Sequence, residues 1–413
     1  MLDQRARNVR VPLLSAAVGL DVAGQLVGVS GQAPPTVFFP GTRVLRGSGA
    51  AVSARARAQE AWLATGTLPG GSSRYRDLVE DALLDLRTLT RPNGALLAGW
   101  PRGWGYVWPR DASFAAVALA ASGHLDDALA VMRFLQRVLP PSGVFQARYL
   151  PDASGVPDAR GEESDGTGLA LWAVDQIARL APDAAARDRV VTVLRPLIDR
   201  AAAAEMRLTG PSGTLPPPSL DYWEVADPRL SLGTVGPLAA GLSAAARLYA
   251  LAGDEPASLA FRWRAAQVAQ LIRDTFGAAG YPRYLGDTAR DASVAYLLPP
   301  FTDAVDPGVL DAWRQAAQTM LRPAGGLAPG AAWKDDGISW TPETALFALT
   351  AASTGGSTRA RQWLTWLDRH RTQYGALPEK VLSNGRPAGP APLTMTAALA
   401  VLAVSALAGA TVG

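Results

Sequence analysis

The sequence predicts an all-α fold, an (α/α)6 barrel of twelve helices with a short irregular or β segment in front of it, and three observations carry that expectation. From Ser73 onward apolar residues recur at helical spacing almost throughout the chain. Several helical stretches come in pairs, a bland one rich in Ala, Gly and Leu beside one studded with Arg and Asp, so that one of each pair suits an interior and the other a wet surface. The stretches number twelve, which fits two concentric rings of six. No exact repeat accompanies the alternation. The length of 413 residues, with 48% hydrophobic and 18% charged residues, suffices for one large core.

In chain order, residues 26–30, 36–39 and 42–45 are short β-branched or alternating runs broken by Gly and Pro, and residues 1–70 read as a β or irregular segment packed on a barrel of residues 71–413. Tyr75, Leu78, Val79, Ala82, Leu83 and Leu86 share a helical face until Pro92 and Gly94 stop it. Helices are then expected over residues 111–122, 124–139, 165–180, 184–207, 233–252, 256–276, 291–298, 307–322, 341–354, 357–373 and 393–410. Pro196 and Pro237 fall inside two of them, where a kink or a late start is expected. The intervening stretches 94–111, 144–165, 208–233, 323–340 and 375–393 are long and carry Trp, Tyr, Arg or carboxylates among Gly and Pro, the character of functional loops.

Composition narrows the chemistry. There is no Cys, and His and Lys are represented only by His124, His370, Lys334 and Lys380, so thiol, imidazole and most metal-ligand schemes have few residues to run on. No metal or cofactor is expected. The net charge of +3 comes from scattered Arg, without the basic stripe of a nucleic-acid partner. Arg5, Arg7 and Arg10 before residues 11–20 imitate a secretory signal, spoiled by Pro12 and Asp21, so the expected location is the cytoplasm with secretion left open. Residues 393–412 carry no charge but are rich in Ala, Thr and Ser, and read as a buried core helix rather than a membrane span. A monomer without a membrane partner is the expectation.

Acid and base work therefore falls to carboxylates. Asp221-Tyr222-Trp223-Glu224 follows the proline-stiffened stretch 215–219, and a Glu beside a Trp is expected to meet an apolar face that keeps it protonated. Ahead of it in the chain, Trp104, Tyr106 and Trp108 lead into Arg110-Asp111 at a helix start, where an Arg–Asp pair can hold neighbouring hydroxyls while a ring stacks on a sugar face. Trp333 and Trp340 lie in another long loop and offer the same stacking, whereas Trp263 and Trp363 read as packing in outer helices.

Taken together, Tyr106-Val107-Trp108-Pro109-Arg110-Asp111-Ala112-Ser113, Asp165-Gly166-Thr167-Gly168 with Leu171-Trp172, Asp221-Tyr222-Trp223-Glu224, Asp291-Ala292-Ser293, and Gly375-Ala376-Leu377-Pro378-Glu379-Lys380 ahead of a Thr-Met-Thr-Ala-Ala helix resemble successive motifs of the glucoamylase-like enzymes, glycoside hydrolase family 15. The resemblance runs from about residue 75 to the end. It implies an (α/α)6 barrel and inverting hydrolysis of an α-glucosidic bond at a non-reducing end, with Glu224 as general acid and Glu379 as general base. Inversion asks for carboxyls roughly 6.5–9.5 Å apart. It further implies a terminal glucose held by Arg110 and Asp111, with Trp104, Tyr106 and Trp108 around it and Asp221, Tyr222, Trp223, Trp333, Lys334 and Trp340 in the binding site. Glu343 in Trp340-Thr341-Pro342-Glu343 is a competing carboxylate, read as helix-start capping.

This chain departs from the fungal members in having Val225 where they place a second Glu and Ala159-Arg160 where they place a Trp. A sugar-binding Arg beyond the acid has no clear match, and Arg290 or Lys334 are the expected substitutes. The compact layout implies a small α-gluco-oligosaccharide, foremost α-1,6-linked isomaltose and short isomalto-oligosaccharides, with α-1,4 malto-oligosaccharides or trehalose as alternatives. A non-catalytic sugar-binding barrel is the alternative of another class.

Overall fold

The computed structural model describes residues 11–101, 103–210 and 213–409. Arg5, Arg7 and Arg10 of the signal-like stretch lie outside them. The first elements are a hairpin, β1 (Ala17–Leu20) antiparallel to β2 (Leu26–Val29), followed by helix α1 (Ala50–Thr65). That helix departs from the expected β or irregular segment. Its sequence is rich in good helix formers but buries only Val52, Ala56 and Gln59, so the apolar stripe that marks a helix in sequence is nearly absent.

Eleven further α-helices follow: α2 (Arg76–Leu89), α3 (Pro109–Ala121), α4 (Leu125–Val138), α5 (Asp165–Leu180), α6 (Ala184–Leu208), α7 (Leu232–Leu251), α8 (Glu255–Thr275), α9 (Pro307–Thr319), α10 (Thr341–Ser353), α11 (Ser357–Arg369) and α12 (Thr394–Leu407). The stretch expected as a helix at 291–298 is a 3-10 helix, Ala292–Leu297. Asp291 caps it on the Ser293 amide, and Leu298-Pro299-Pro300 ends it before an α-helix can lengthen. Among the described residues no helix is long and apolar enough to cross a membrane.

The helices close a ring. α3 packs on α5, α5 on α7, α7 on the 3-10 helix Ala292–Leu297, that helix on α10, α10 on α12, and α12 back on α3. Outside them α4, α6, α8, α9, α11 and α2 lie against α3, α5, α7, the 3-10 helix, α10 and α12 in turn. The bland helices are the inner six: α3 is buried from Pro109 to Ala120 and α12 from Thr394 to Ser405, whereas α4 and α11 bury one face. Amphipathicity thus sorts the pairs into two layers, the (α/α)6 barrel that count and alternation predict.

Small residues set the spacing of the inner ring. A Cβ on Gly168 of α5 would come within 2.2 Å of the Pro237 carbonyl of α7, and one on Gly241 would meet Glu205 Oε1 at 2.3 Å. α6 and α7 run unbroken through Pro196 and Pro237. Beside Pro196, the Leu197 amide donates to Gln136 Oε1 of α4 at 3.2 Å. Trp363 packs against Trp313 and Phe347, but Trp263 is 55% exposed and belongs to no core.

The segment before α1 ties down loops that matter later. Ser15 Oγ donates to the carbonyls of Trp100 and Ala391, Thr372 Oγ1 donates to the Ala16 carbonyl, and Arg43 pairs with Asp81 and Asp85 on α2.

Candidate active site

Six loops lead into the six inner helices, and five of them line one cavity of about 460 Å³. The stretch 98–111 contributes Trp104, Trp108, Arg110 and Asp111, and the stretch 148–160 contributes Arg148 and Arg160. Tyr222, Trp223 and Glu224 come from the loop before α7, Trp333, Trp340 and Glu343 from the approach to α10, and Glu379, Leu393 and Met395 from the approach to α12. The size and the mixed aromatic and charged lining suit a small polar ligand.

Pro109 at the first position of α3 starts that helix two residues earlier than expected and aims Arg110 and Asp111 inward. Arg110 Nη1 donates to Glu163 Oε1 at 2.5 Å and to Asp165 Oδ2 at 2.8 Å, while its Nε has no partner. Burial pushes the Asp111 carboxyl up to about 6, against the pull of Arg110. It pushes Glu163 up to about 8, again opposed by Arg110, and raises Asp165 as well, so the buried cluster holds one Arg among carboxyls that do not all ionise near neutrality.

The Asp221–Glu224 turn is built from within. The Glu224 amide donates to the Asp221 carbonyl at 2.7 Å and the Trp223 amide to Asp221 Oδ1 at 3.0 Å. Glu224 itself has φ 51°, left-handed backbone that an L side chain rarely adopts and that often marks a functional position. Its Oε1 accepts from Trp108 Nε1 at 2.5 Å and lies 4.0 Å from Arg110 Nη2, and its Oε2 contacts Arg160. The apolar setting expected for this carboxyl is therefore corrected: Trp108 presents its N–H edge, and the other neighbours are cations.

Glu379 sits on the opposite stretch, just ahead of β4 (Lys380–Val381), which pairs with β3 (Ser339–Trp340) and β5 (Pro387–Ala388). Its amide donates to the Pro390 carbonyl at 2.9 Å, and Oε2 lies 3.0 Å from Lys380 Nζ. Gly389 has φ +76°, and a Cβ there would approach Glu379 Oε2 to 2.5 Å, so glycine makes room for this carboxyl. Burial raises the Glu379 carboxyl and Lys380 opposes the rise. Glu343 occupies the first turn of α10 as expected but faces the cavity, not solvent. Its Oε2 has no partner, and burial pushes it up to about 8, with Glu379 adding to the rise.

Three expected binding residues do not line the cavity. Tyr106 stacks under Arg148, whose guanidinium lies 4.7 Å from its ring and 4.9 Å from that of Trp108. Asp221 is buried as a cross-link, with Oδ1 2.7 Å from Arg283 Nη2 and Oδ2 accepting from Ser231 at 2.6 Å. Lys334 faces a neighbouring cleft with Arg290, beyond the Trp223 and Trp333 rings. On the Trp223 side the neighbouring cation is Arg283, which stacks 3.8 Å over Trp223 and pins Asp291 at 2.6 Å as well. Sequence reasoning also left unassigned Glu163, Arg148 and Arg160. The replacement of an expected Trp by Arg160 was the one local signal that could have found any of them.

Six polar atoms of the cavity-lining residues are buried without a hydrogen-bond partner: Arg110 Nε, Arg148 Nε, the indole Nε1 of Trp223, Trp333 and Trp340, and Glu343 Oε2. Five of the six are donors. Among the described residues no group of His, Cys, Asp and Glu could hold a metal ion.

The closed double ring and the loop-built cavity define an (α/α)6 barrel of glucoamylase-like fold. No protein-family model matches the chain, and no curated protein does. Solved structures match with probability 1.00. A wild-type glycosidase superposes with a TM-score of 0.67 at 23% identity, over 81% of this chain and 97% of its own. A bacterial glucoamylase complexed with acarbose gives 0.71 at 16% identity, over 88% of this chain and 59% of its own. The glucoamylase of Saccharomycopsis fibuligera gives 0.64 at 12%, over 84% and 95%. At these identities the likeness is one of fold.

Proposed function

We propose that this chain is an inverting, exo-acting α-glucoside hydrolase releasing β-glucose from the non-reducing end of small α-glucosides. The observation that carries the reading is the pair of carboxyls, Glu224 and Glu379, brought from stretches more than 150 residues apart to one cavity lined by Trp104, Trp108, Arg110 and Asp111. A variant of the similar glycosidase is in complex with glucose, and the bacterial glucoamylase with acarbose, which supports a sugar in the equivalent cavity here.

In this reading Glu224 gives its proton to the glycosidic oxygen as the C1–O bond breaks. Glu379 takes a proton from the water that attacks C1 on the opposite face. Glu343 suits the base role less well: a carboxyl pushed up to about 8 is mostly protonated at neutral pH. Arg110, held rigid by Glu163 and Asp165, lines the cavity beside Asp111, and the two side chains hold neighbouring sugar hydroxyls. Trp104 and Trp108, with centroids 6.0 Å apart, supply stacking surface. Isomaltose and short isomalto-oligosaccharides are the first substrates to test, with malto-oligosaccharides and trehalose beside them.

The test is glucose release from isomaltose, maltose and trehalose at equal concentration, with the anomer followed by NMR. β-Glucose appearing first, fastest from isomaltose, is the expected result. α-Glucose appearing first refutes inversion. A different preferred disaccharide moves the linkage and keeps the chemistry. Binding without cleavage of any of them returns the chain to the sugar-binding alternative.

A further inference from the structure

The outer wall of the cavity beside Glu224 carries an ion network that the reaction does not require. Arg148 pairs with Asp158 and donates to the Gly103 carbonyl at 2.9 Å. Arg160 lies 3.4 Å from the same Asp158 and contacts Glu224 Oε2. Two arginines thus face two carboxylates, and Arg110, 4.0 Å from Glu224 Oε1, is already matched by Glu163 and Asp165. The count balances only while Glu224 is ionised.

A general acid has to carry a proton when the bond breaks. Once Glu224 is neutral, Arg148 and Arg160 share Asp158 alone, and one positive charge on this wall is unmatched. The surplus lies at the acid, where the glycosidic oxygen must sit, so it meets the leaving group. A neutral leaving group does nothing to draw Arg160 off Glu224, and the cation then opposes protonation. An anionic one does both.

We propose, resting on the hydrolase reading above, that Arg160 selects α-glucosides whose leaving group bears a carboxylate or phosphate, because it is the cavity cation whose partner, Glu224, must become neutral for catalysis. On binding, that anion draws the Arg160 guanidinium from Glu224 Oε2 and leaves this oxygen free to hold the proton. Arg160 is a specificity and positioning residue here, since it touches the leaving group and not the reacting carbon. Its side chain is 35% exposed, so it can move without unpacking the barrel.

The experiment compares kcat/KM for matched pairs: isomaltose against isomaltobionate, maltose against maltobionate, and trehalose against trehalose 6-phosphate. For at least one pair the charged member is expected to exceed the neutral one by tenfold or more, the worth of roughly one charge-assisted hydrogen bond. The carboxylate and phosphate arms tell the two anion sources apart. Arg160→Gln is expected to bring the ratio to about one, and Arg160→Glu to reverse it. Equal or faster cleavage of every neutral member, or a preference that survives Arg160→Gln, overturns the inference and leaves the hydrolase reading standing. Cleavage of none of the six, neutral members included, removes both.

Discussion

Replacing Glu343 by Gln tests how the cavity keeps its carboxyls distinct. Burial raises Glu343 from 4.5 to about 8, so the folded chain holds a proton that the unfolded chain has released anywhere between those values. The stabilising effect is complete below about 4.5 and is lost as pH rises through about 8. Between pH 7 and pH 9 this one group removes about 1.4 kcal/mol from the wild type, and nothing from the variant, whose amide does not titrate. For a chain of this size that is roughly 1.5 °C in Tm. Calorimetry of both proteins at pH 7 and pH 9 should show the variant losing less by about that amount, with turnover at pH 7 reduced less than about tenfold because a neutral group replaces a neutral group. A variant with the same pH dependence as the wild type refutes the protonated Glu343. Loss of turnover by orders of magnitude with the fold intact would move the base from Glu379 to Glu343.

Three further outcomes follow from the geometry. Glu224→Gln and Glu379→Gln should each lower kcat by about 10²–10⁴-fold with circular dichroism unchanged, and full activity in the Glu379 variant removes it as the base. Arg283→Met leaves Asp221 and Asp291 buried without their cation and should destabilise by about 3–5 kcal/mol in urea unfolding; a change below about 1 kcal/mol refutes the cross-link. Gly168→Ala puts a Cβ 2.2 Å from the Pro237 carbonyl and should cost about 1–3 kcal/mol despite the better helix propensity of Ala, whereas equal or higher stability refutes the close approach of α5 and α7.

Much of the barrel was legible because its signals are local. A helix that alternates bland and charged faces announces its layer within a few turns, which is why α3 and α4, or α10 and α11, could be assigned from composition alone. α1 carries no such stripe and went unseen. In the site, carboxylates and aromatics in long loops were visible, but their pairings were not. Asp221 looked like a ligand contact because nothing nearby shows that Arg283, 62 positions on, claims it. Arg160 looked like a lost Trp because its contact with Glu224 exists only once two loops fold over one rim. Long-range ion pairs leave no periodicity to read.

The closing contact of the ring has a consequence for biosynthesis. α12 seals the barrel against α2 and α3, and Thr394 Oγ1 donates to the Leu97 carbonyl across 297 positions. Synthesis at about 5–20 residues per second separates those two partners by roughly 15 to 60 seconds. For most of that interval the side of α3 that α12 will cover is bare, and once α10 is made the nascent chain carries a ring open along one seam. The cavity also waits, since Glu379, Leu393 and Met395 are among its last walls to be made. On refolding, activity is expected to return later than helix content, because the cavity is complete only when α12 closes the ring.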